Sequence, residues 1–181
     1  MQTVFTLNEL SLKFREIKYV NLKRRINNLV LTDKLLNPVR GVFAKEGYSV
    51  MELACRVYAP SYISLETVLA QEGVIFQKYN SVFAISYVSR ELDVDGKKIV
   101  YRRLRNEILL NNFGVVLQNN YFVATKERAF TDAVYLYRNY HFDNLGGLDW
   151  DVVIELAKIY KSKVMIKRVE SYYKLYKNEH V

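Results

Sequence analysis

A row of amide and basic side chains near the amino terminus has the residue types that recognise duplex DNA. Asn21, Arg24 and Asn28 are spaced three and four residues apart, and Lys23 and Asn27 form a second row beside them. Arginine and lysine neutralise phosphates or reach guanine in the major groove, and asparagine can make two hydrogen bonds to adenine. Since this spacing puts side chains on one face of a helix, it predicts a helix whose polar face binds DNA.

An apolar stripe on the same segment sets the orientation of this helix. Leu22, Ile26, Leu29 and Val30 recur at intervals that gather them on one side, opposite the amide row. The helix is predicted to begin at Tyr19, a candidate phosphate contact, and to end at residues 32–34. Pro38 follows shortly after, where it removes a backbone donor.

A short hairpin is predicted directly after the helix. Residues 35–36 begin one strand, residues 37–41 turn and residues 42–44 return, with Gly41 available for a positive φ. Arg40 is expected at or near the tip and Lys45 just beyond the second strand, both as phosphate contacts. A helix followed by a strand, a basic tip and a strand is the order of a winged helix-turn-helix.

The segment before the basic helix predicts the first half of that motif. Thr6 and Glu9 have the spacing of a capping box at the start of a helix, and a turn is expected over residues 15–18. A winged helix normally has a further helix in front of this pair, and we expect it to be missing because only residues 1–5 precede it. Either the module is abbreviated, or a later segment or a second subunit covers the exposed face.

Charge is concentrated in this part of the chain. The net charge is +8 over 181 residues, and residues 1–46 alone carry +5. Such asymmetry favours a polyanionic partner.

Hydrophobic residues make up half of the composition and charged residues a quarter, which excludes a disordered chain. Because the sequence has neither an apolar run of membrane-spanning length nor a signal peptide, we expect a cytoplasmic protein without a membrane partner. Cys55, the single cysteine, is predicted to be a buried inert thiol.

The composition becomes less basic and more aromatic after Lys45, which places a domain boundary at residues 46–47. The fold class predicted is α+β, with a winged helix-turn-helix over residues 1–46 and a mixed α/β domain over residues 47–181. Helices are expected at 48–58, at 65–72 and after the caps Thr125, Asp149 and Ser162. Strands are expected at 82–88, at 99–101 paired with the segment before Asp95-Gly96, and at 113–117 paired with 121–124.

A second basic cluster flanks the Asp95-Gly96 turn and is a further candidate contact for nucleic acid or an acidic partner. Its members are Lys97, Lys98, Arg102, Arg103 and Arg105. More often such a hairpin is solvated, and alternation along a strand does not put all these charges on one face.

The same region contains residue types that metal-dependent nucleases use. Glu91, Asp93, Asp95 and Lys97 loosely resemble a carboxylate and lysine cluster that holds Mg²⁺. The spacing is unconvincing, because Asp95-Gly96 is better explained as a turn. Without a histidine pair close in sequence or a phosphate-binding glycine loop, we expect no enzyme activity, no metal and no cofactor.

Ser64 and Thr125 are predicted to be N-caps, Gly73 a helix terminator and Asp132 a polar anchor.

Three stretches carry a resemblance to the AbiEi family of abortive-infection antitoxins and transcriptional regulators. Residues 34–36 followed by Arg40-Gly41-Val42-Phe43 resemble the wing of that family. Residues 62–69 followed by Gly73-Val74-Ile75 are similar to its first C-terminal motif, and residues 124–129 with Asp132 and Leu136 are similar to its second. The resemblance covers most of residues 5–138.

The resemblance implies an antitoxin that represses its own operon through inverted repeats in double-stranded DNA and antagonises a nucleotidyltransferase-type toxin. Half-site recognition would place two copies on DNA, although no segment is an obvious dimerisation coil, so the oligomeric state stays open. Two alternatives remain: an interaction module whose aromatic C-terminal domain binds a protein while the DNA-binding part is vestigial, and the nuclease.

Overall fold

The computed structural model describes residues 1–15 and 18–179 and is of mixed α+β class, as the sequence predicts. Within these residues it contains eight helices and nine strands in two sheets. None of the described helices combines the length and the apolar composition needed to cross a bilayer.

The amino-terminal elements are β1 (Val4–Thr6), α1 (Leu7–Phe14), α2 (Tyr19–Leu31), β2 (Leu36–Val39) and β3 (Val42–Ala44). The strands form an antiparallel sheet in the order β1-β3-β2. The predicted capping box is confirmed, since Thr6 and Glu9 bond reciprocally at the start of α1. A small core joins these elements, and it contains Phe5, Leu10, Leu22, Ile26 and Leu35.

Two details of this region differ from the prediction. The hairpin turn is limited to Arg40 and Gly41, and Pro38 lies within β2. Strand β2 is at the edge of its sheet, where proline is tolerated because the backbone N–H that it lacks is not needed on the unpaired side. The sequence also gave no indication of β1, which is three residues long and depends on pairing with β3. The predicted turn over residues 15–18 begins at Arg15 in a left-handed conformation, and residues 16–17 lie outside the described part of the chain.

Helix α3 (Val50–Val57) packs against β1 and β3. Val4 and Ala44 are fully buried and belong to the main hydrophobic core together with Leu53 of α3. The buried Glu52 carboxylate accepts hydrogen bonds from the backbone N–H of Thr3 at 3.1 and 3.2 Å. A later segment, α3, therefore packs on the small sheet. The domain boundary at residues 46–47 stays a prediction.

The remaining strands form one mixed sheet of six in the order β6-β7-β5-β4-β9-β8. Strand β4 is central, antiparallel to β5 and parallel to β9. The helices cover this sheet, with α6 packed against α4, α7 and α8. The bounds are β4 Ser61–Ile63, α4 Glu66–Gln71, β5 Ser81–Ser86, β6 Arg90–Val94, β7 Lys97–Arg103, α5 Asn106–Leu109, β8 Val115–Gln118, β9 Tyr121–Ala124, α6 Lys126–Leu136, α7 Trp150–Ile159 and α8 Lys163–Glu179.

The predicted N-cap role of Ser64 is wrong. The residue at the N-cap of α4 is Leu65, with φ 55°, and no side chain caps this helix. The Ser64 hydroxyl instead donates to Asp132 at 2.8 Å. The caps predicted at Thr125, Asp149 and Ser162 are confirmed, and Gly73 follows α4 with the positive φ expected of a terminator.

Candidate nucleic-acid interface

The polar face predicted on α2 is exposed to solvent. Leu22 and Ile26 are 3% and 1% exposed and face the small core. The side chains predicted to bind DNA lie on the surface of the same helix. They are Tyr19, Asn21, Lys23, Arg24, Asn27 and Asn28. The amphipathic division inferred from the sequence is therefore confirmed, and it leaves the amide and basic groups available to a ligand.

The charge on this face is not neutralised by acidic residues of α2. The helix carries Lys23, Arg24 and Arg25 and has no aspartate or glutamate. Lys23 Nζ lies 4.7 Å from the centre of the Tyr19 ring, and Arg25 lies 4.3 Å from the centre of the Phe14 ring on α1. These cation–π contacts orient the Lys23 and Arg25 side chains. An anionic ligand would meet a positively charged helix flank.

The two basic residues of the hairpin lie at opposite ends of β3. Arg40 is exposed in the turn, where Gly41 adopts φ 81° as predicted. Lys45 follows the other end of β3 and is half-buried, and its Nζ lies 5.8 Å from the centre of the Phe5 ring. Arg40 is thus placed at a projecting tip, whereas Lys45 lies beside the first strand.

The second basic cluster is spread along β7 and beyond, and the structure does not bring its members to one point. Lys97, Arg103 and Arg105 are exposed. Lys98 pairs with Glu91 of the neighbouring strand at 2.6 Å. Arg102 is directed toward Tyr137 and the buried Glu66. Burial raises the pKa of Glu66, while Tyr137 and Arg102 act in the opposite direction.

The carboxylates considered for a nuclease have other partners. Glu91 forms the ion pair with Lys98, which lowers the pKa of Glu91. Asp95 accepts a hydrogen bond from the Tyr48 hydroxyl, and burial together with this bond raises the pKa of Tyr48 to about 12. In the described residues, no three histidine, cysteine, aspartate or glutamate side chains are grouped closely enough to hold a metal ion.

A buried polar network joins α6 to β4, and the sequence does not predict it as a unit. Arg128 and Asp132, one turn apart on α6, are both fully buried and form an ion pair at 3.3 Å. The Asp132 carboxylate also accepts from the hydroxyls of Tyr62 at 3.0 Å, Ser64 at 2.8 Å and Tyr160 at 2.6 Å. The prediction that Asp132 is a polar anchor is confirmed.

The Arg128 guanidinium binds carbonyl groups of the segment before β8. It donates to the backbone oxygens of Ile108 at 2.8 Å, Asn111 at 3.2 Å and Phe113 at 2.8 Å. Burial raises the pKa of Asp132, while Arg128 and the hydroxyl donors act in the opposite direction. The network thus ties α6 to β4, to Tyr160 at the end of α7 and to the 108–113 segment.

The aromatic residues of the C-terminal half are largely used in packing between helices. Phe130 of α6 contacts Phe142, Trp150 and Tyr172, with ring centres 4.6 to 5.7 Å apart. Trp150 also stacks against Tyr176 at 5.4 Å. The abundance of tyrosine is therefore accounted for in large part by the core, and it gives little support to an aromatic docking surface.

Cys55 is buried, as predicted. Burial raises the pKa of its thiol to about 12. It lines a cavity of about 290 Å³ with Arg56, Ser61, Leu110 and Phe122. A thiol with this pKa is protonated near neutral pH and is a poor nucleophile.

A scan against protein-family models and a search of curated proteins both found no match to this chain.

Proposed function

We propose that this chain is a DNA-binding transcriptional regulator whose residues 1–46 form a winged helix-turn-helix. The observation that carries the proposal is the order β1-α1-α2-β2-β3 with a basic, solvent-exposed α2. In this class of domain the second helix of the pair enters the major groove and the hairpin lies beside it on the backbone. The sheet order β1-β3-β2 agrees with that class, because the first strand pairs with the far strand of the hairpin.

The residues on α2 have separate roles in this proposal. Asn21, Arg24 and Asn28 address base edges, because they lie opposite the buried Leu22 and Ile26. Lys23 and Asn27 lie on the adjacent row. Tyr19, Arg40 and Lys45 hold phosphates and so set the orientation on the duplex without reading sequence.

The fuller proposal is an AbiEi-type antitoxin and autorepressor that acts on inverted repeats and antagonises a nucleotidyltransferase toxin. It rests on the similarity of residues 62–69, and of residues 124–129 with Asp132, to the C-terminal motifs of that family. These two stretches supply Tyr62, Ser64, Arg128 and Asp132 to one buried network. If this chain had the fold of that family, the residues of the two motifs would be expected to contact each other, as these four do.

The test is a binding titration on duplex DNA from upstream of the chain's own gene, at several salt concentrations and against a random duplex. Arg24→Ala should lower affinity for the upstream duplex by about 1–3 kcal/mol and relax base preference. Lys45→Ala should weaken binding to both duplexes and reduce the salt slope by about one unit. Lys167→Ala, an exposed change on α8, is the matched control and should have no effect.

Equal small effects of Arg24→Ala and Lys167→Ala would contradict the assignment of α2. If the wild-type chain binds neither duplex, the regulator proposal fails. The antitoxin part is tested separately by co-expression with a nucleotidyltransferase encoded next to the gene. Growth rescue that requires the chain is the expected result.

A further inference from the structure

The cavity beside Cys55 lies between the end of α3 and the β8–β9 hairpin. Its volume of about 290 Å³ is close to the lower end of the roughly 300–1,000 Å³ found in small-molecule sites. Four parts of the chain form its walls. They are residues 55–56 of α3, residues 59–62 leading into β4, residues 109, 110 and 112, and residues 115 and 120–122 of the hairpin.

Among the described residues that line this cavity, Arg56 is the one charged side chain, and it is 29% exposed. Its Nη2 lies 3.4 Å from Glu9 Oε1 of α1, farther than the roughly 2.7–2.9 Å of a charge-assisted hydrogen bond. Its Nε is buried and has no hydrogen-bond partner within the described part of the chain. Because an unsatisfied buried donor costs free energy, a rotation of the guanidinium toward an acceptor in the cavity would be favourable.

Glu9 does not depend on Arg56 for its own position. Its Oε2 accepts a hydrogen bond from the backbone N–H of Thr6 at 2.7 Å, within the capping box of α1. Its Oε1 accepts from the side-chain amide of Gln2 at 3.2 Å. Arg56 can therefore turn to a ligand while the cap of α1 stays in place.

The wall formed by residues 109, 110 and 112 is held by the buried polar network. Arg128 donates to the backbone oxygens of Ile108, Asn111 and Phe113, which alternate with these wall residues or flank them. Tyr62, which also lines the cavity, donates to Asp132 of the same network. The cavity is therefore built into the fold, as is usual for small-molecule sites.

The chemistry of the lining indicates the class of ligand. Leu110 and Phe122 are 62% and 49% exposed and supply apolar surface at the cavity. Asn112 and Asn120 add amide groups, which can donate or accept hydrogen bonds. A cationic ligand would be repelled by Arg56, and a neutral one would leave its charge unpaired. One cation, two amides and apolar surface together match a small organic anion.

We propose that this cavity binds a small organic carboxylate. The carboxylate pairs with the Arg56 guanidinium, whose planar fork of donors matches a carboxylate in charge and geometry. The apolar part of the ligand covers Leu110 and Phe122. The described lining residues include none from α2 or from the β2–β3 hairpin, so this site is distinct from the proposed DNA contacts.

The test is a titration of the full chain with benzoate and with benzamide, its neutral isostere, followed by two-dimensional NMR of the backbone amides. Benzoate should shift the signals of Leu110, Asn112 and Phe122, and it should bind about tenfold more tightly than benzamide. The signals of Lys167 and Leu175 on α8 should stay unchanged.

Substitution of the cation separates charge recognition from the shape of the cavity. Arg56→Met should lower the affinity for benzoate about tenfold and leave the affinity for benzamide nearly unchanged. Arg90→Met, at an exposed position on β6, is the matched control and should change neither affinity. Glu9→Gln keeps a residue type that serves in a capping box, and it should strengthen benzoate binding because Glu9 no longer competes for Arg56.

Thermal unfolding of each variant checks that the fold is retained. If Arg56→Met does not fold, Leu110→Glu makes the same test from an exposed position. The added carboxylate should weaken the binding of benzoate and not that of benzamide, because like charges repel.

No shift of the cavity residues with either probe up to about 10 mM would overturn the proposal. Equal affinities for benzoate and benzamide, or an equal loss of both with Arg56→Met, would overturn it as well. The titration contains no duplex, so its result does not depend on whether the chain binds DNA.

Discussion

Asp132→Asn tests the buried network most sharply, because it removes a charge with almost no change in volume. The carboxylate accepts hydrogen bonds from Arg128, Tyr62, Ser64 and Tyr160, and all its neighbours are donors. An amide presents an NH₂ group on one side, and only a hydroxyl that turns to accept can satisfy it, because the Arg128 guanidinium has no acceptor. The guanidinium of Arg128, fully buried, loses the charge that balances it.

Breaking a buried ion pair by removing one partner costs about 3–5 kcal/mol. That is a large part of the roughly 5–15 kcal/mol that stabilises an ordinary domain. We therefore expect Asp132→Asn to lower the free energy of unfolding by about 3–5 kcal/mol at pH 7. The assay is urea unfolding followed by circular dichroism, with the slope of the transition compared between variants.

The matched control is Lys158→Ala, which removes an exposed ion pair with Glu155 on α7. Exposed pairs contribute little, and its effect should stay within about 1 kcal/mol. The double variant Arg128→Met/Asp132→Leu should be less destabilised than the two single changes summed, because no charge is left unpaired. A cost for Asp132→Asn equal to that of the control would refute the reasoning.

Three further predictions concern the cap of α1, the hairpin tip and the thiol. Thr6→Ala should lower the free energy of unfolding by about 1 kcal/mol, since it removes one half of the capping box; Thr32→Ala is the control, and an equal loss would contradict the role of the cap. Gly41→Val should cost about 1–2 kcal/mol because φ is 81°, whereas Val39→Ile should be nearly neutral; urea unfolding measures both, and a neutral Gly41→Val would contradict the turn geometry. At pH 8 the native Cys55 thiol, with its pKa raised to about 12, should react with a disulfide reagent roughly a thousandfold more slowly than the urea-unfolded chain. Because the folded chain holds this proton more tightly, the neutral thiol stabilises the folded state. This stabilisation is complete below the unfolded pKa near 8.5 and is lost as pH rises toward 12. Equal native and unfolded reaction rates would contradict the burial of this group.

The elements that the sequence predicts well are those whose signals are local. Helix α2 has an apolar period of its own, and the caps of α1, α6, α7 and α8 lie within three residues of the groups they bond. Strand β1 has no such signal, because three residues become a strand only by pairing with β3 about forty positions later. The short helix α5 also has no local signal, since it has a single turn and no side-chain cap.

The candidate site shows the same division. The exposed face of α2 follows from the spacing of Leu22 and Ile26, so the placement of Arg24 and Asn28 on the surface could be predicted. The role of Ser64 could not, since its hydroxyl bonds Asp132, which lies 68 positions later. A local rule gave the serine an N-cap role, and a tertiary contact outweighed that rule.

Lysine acetylation with and without bound duplex tests the central claim of the account most directly, because it reports which side chains the DNA covers. After limited acetylation and mass spectrometry, Lys23 on α2 and Lys45 beside β3 should lose reactivity when duplex from upstream of the gene is present. Exposed Lys163 and Lys167 on α8 should react equally in both samples. Unchanged reactivity of Lys23 and Lys45 in a sample where the duplex is bound, or protection confined to α8, would contradict a DNA-binding surface built on α2 and the hairpin.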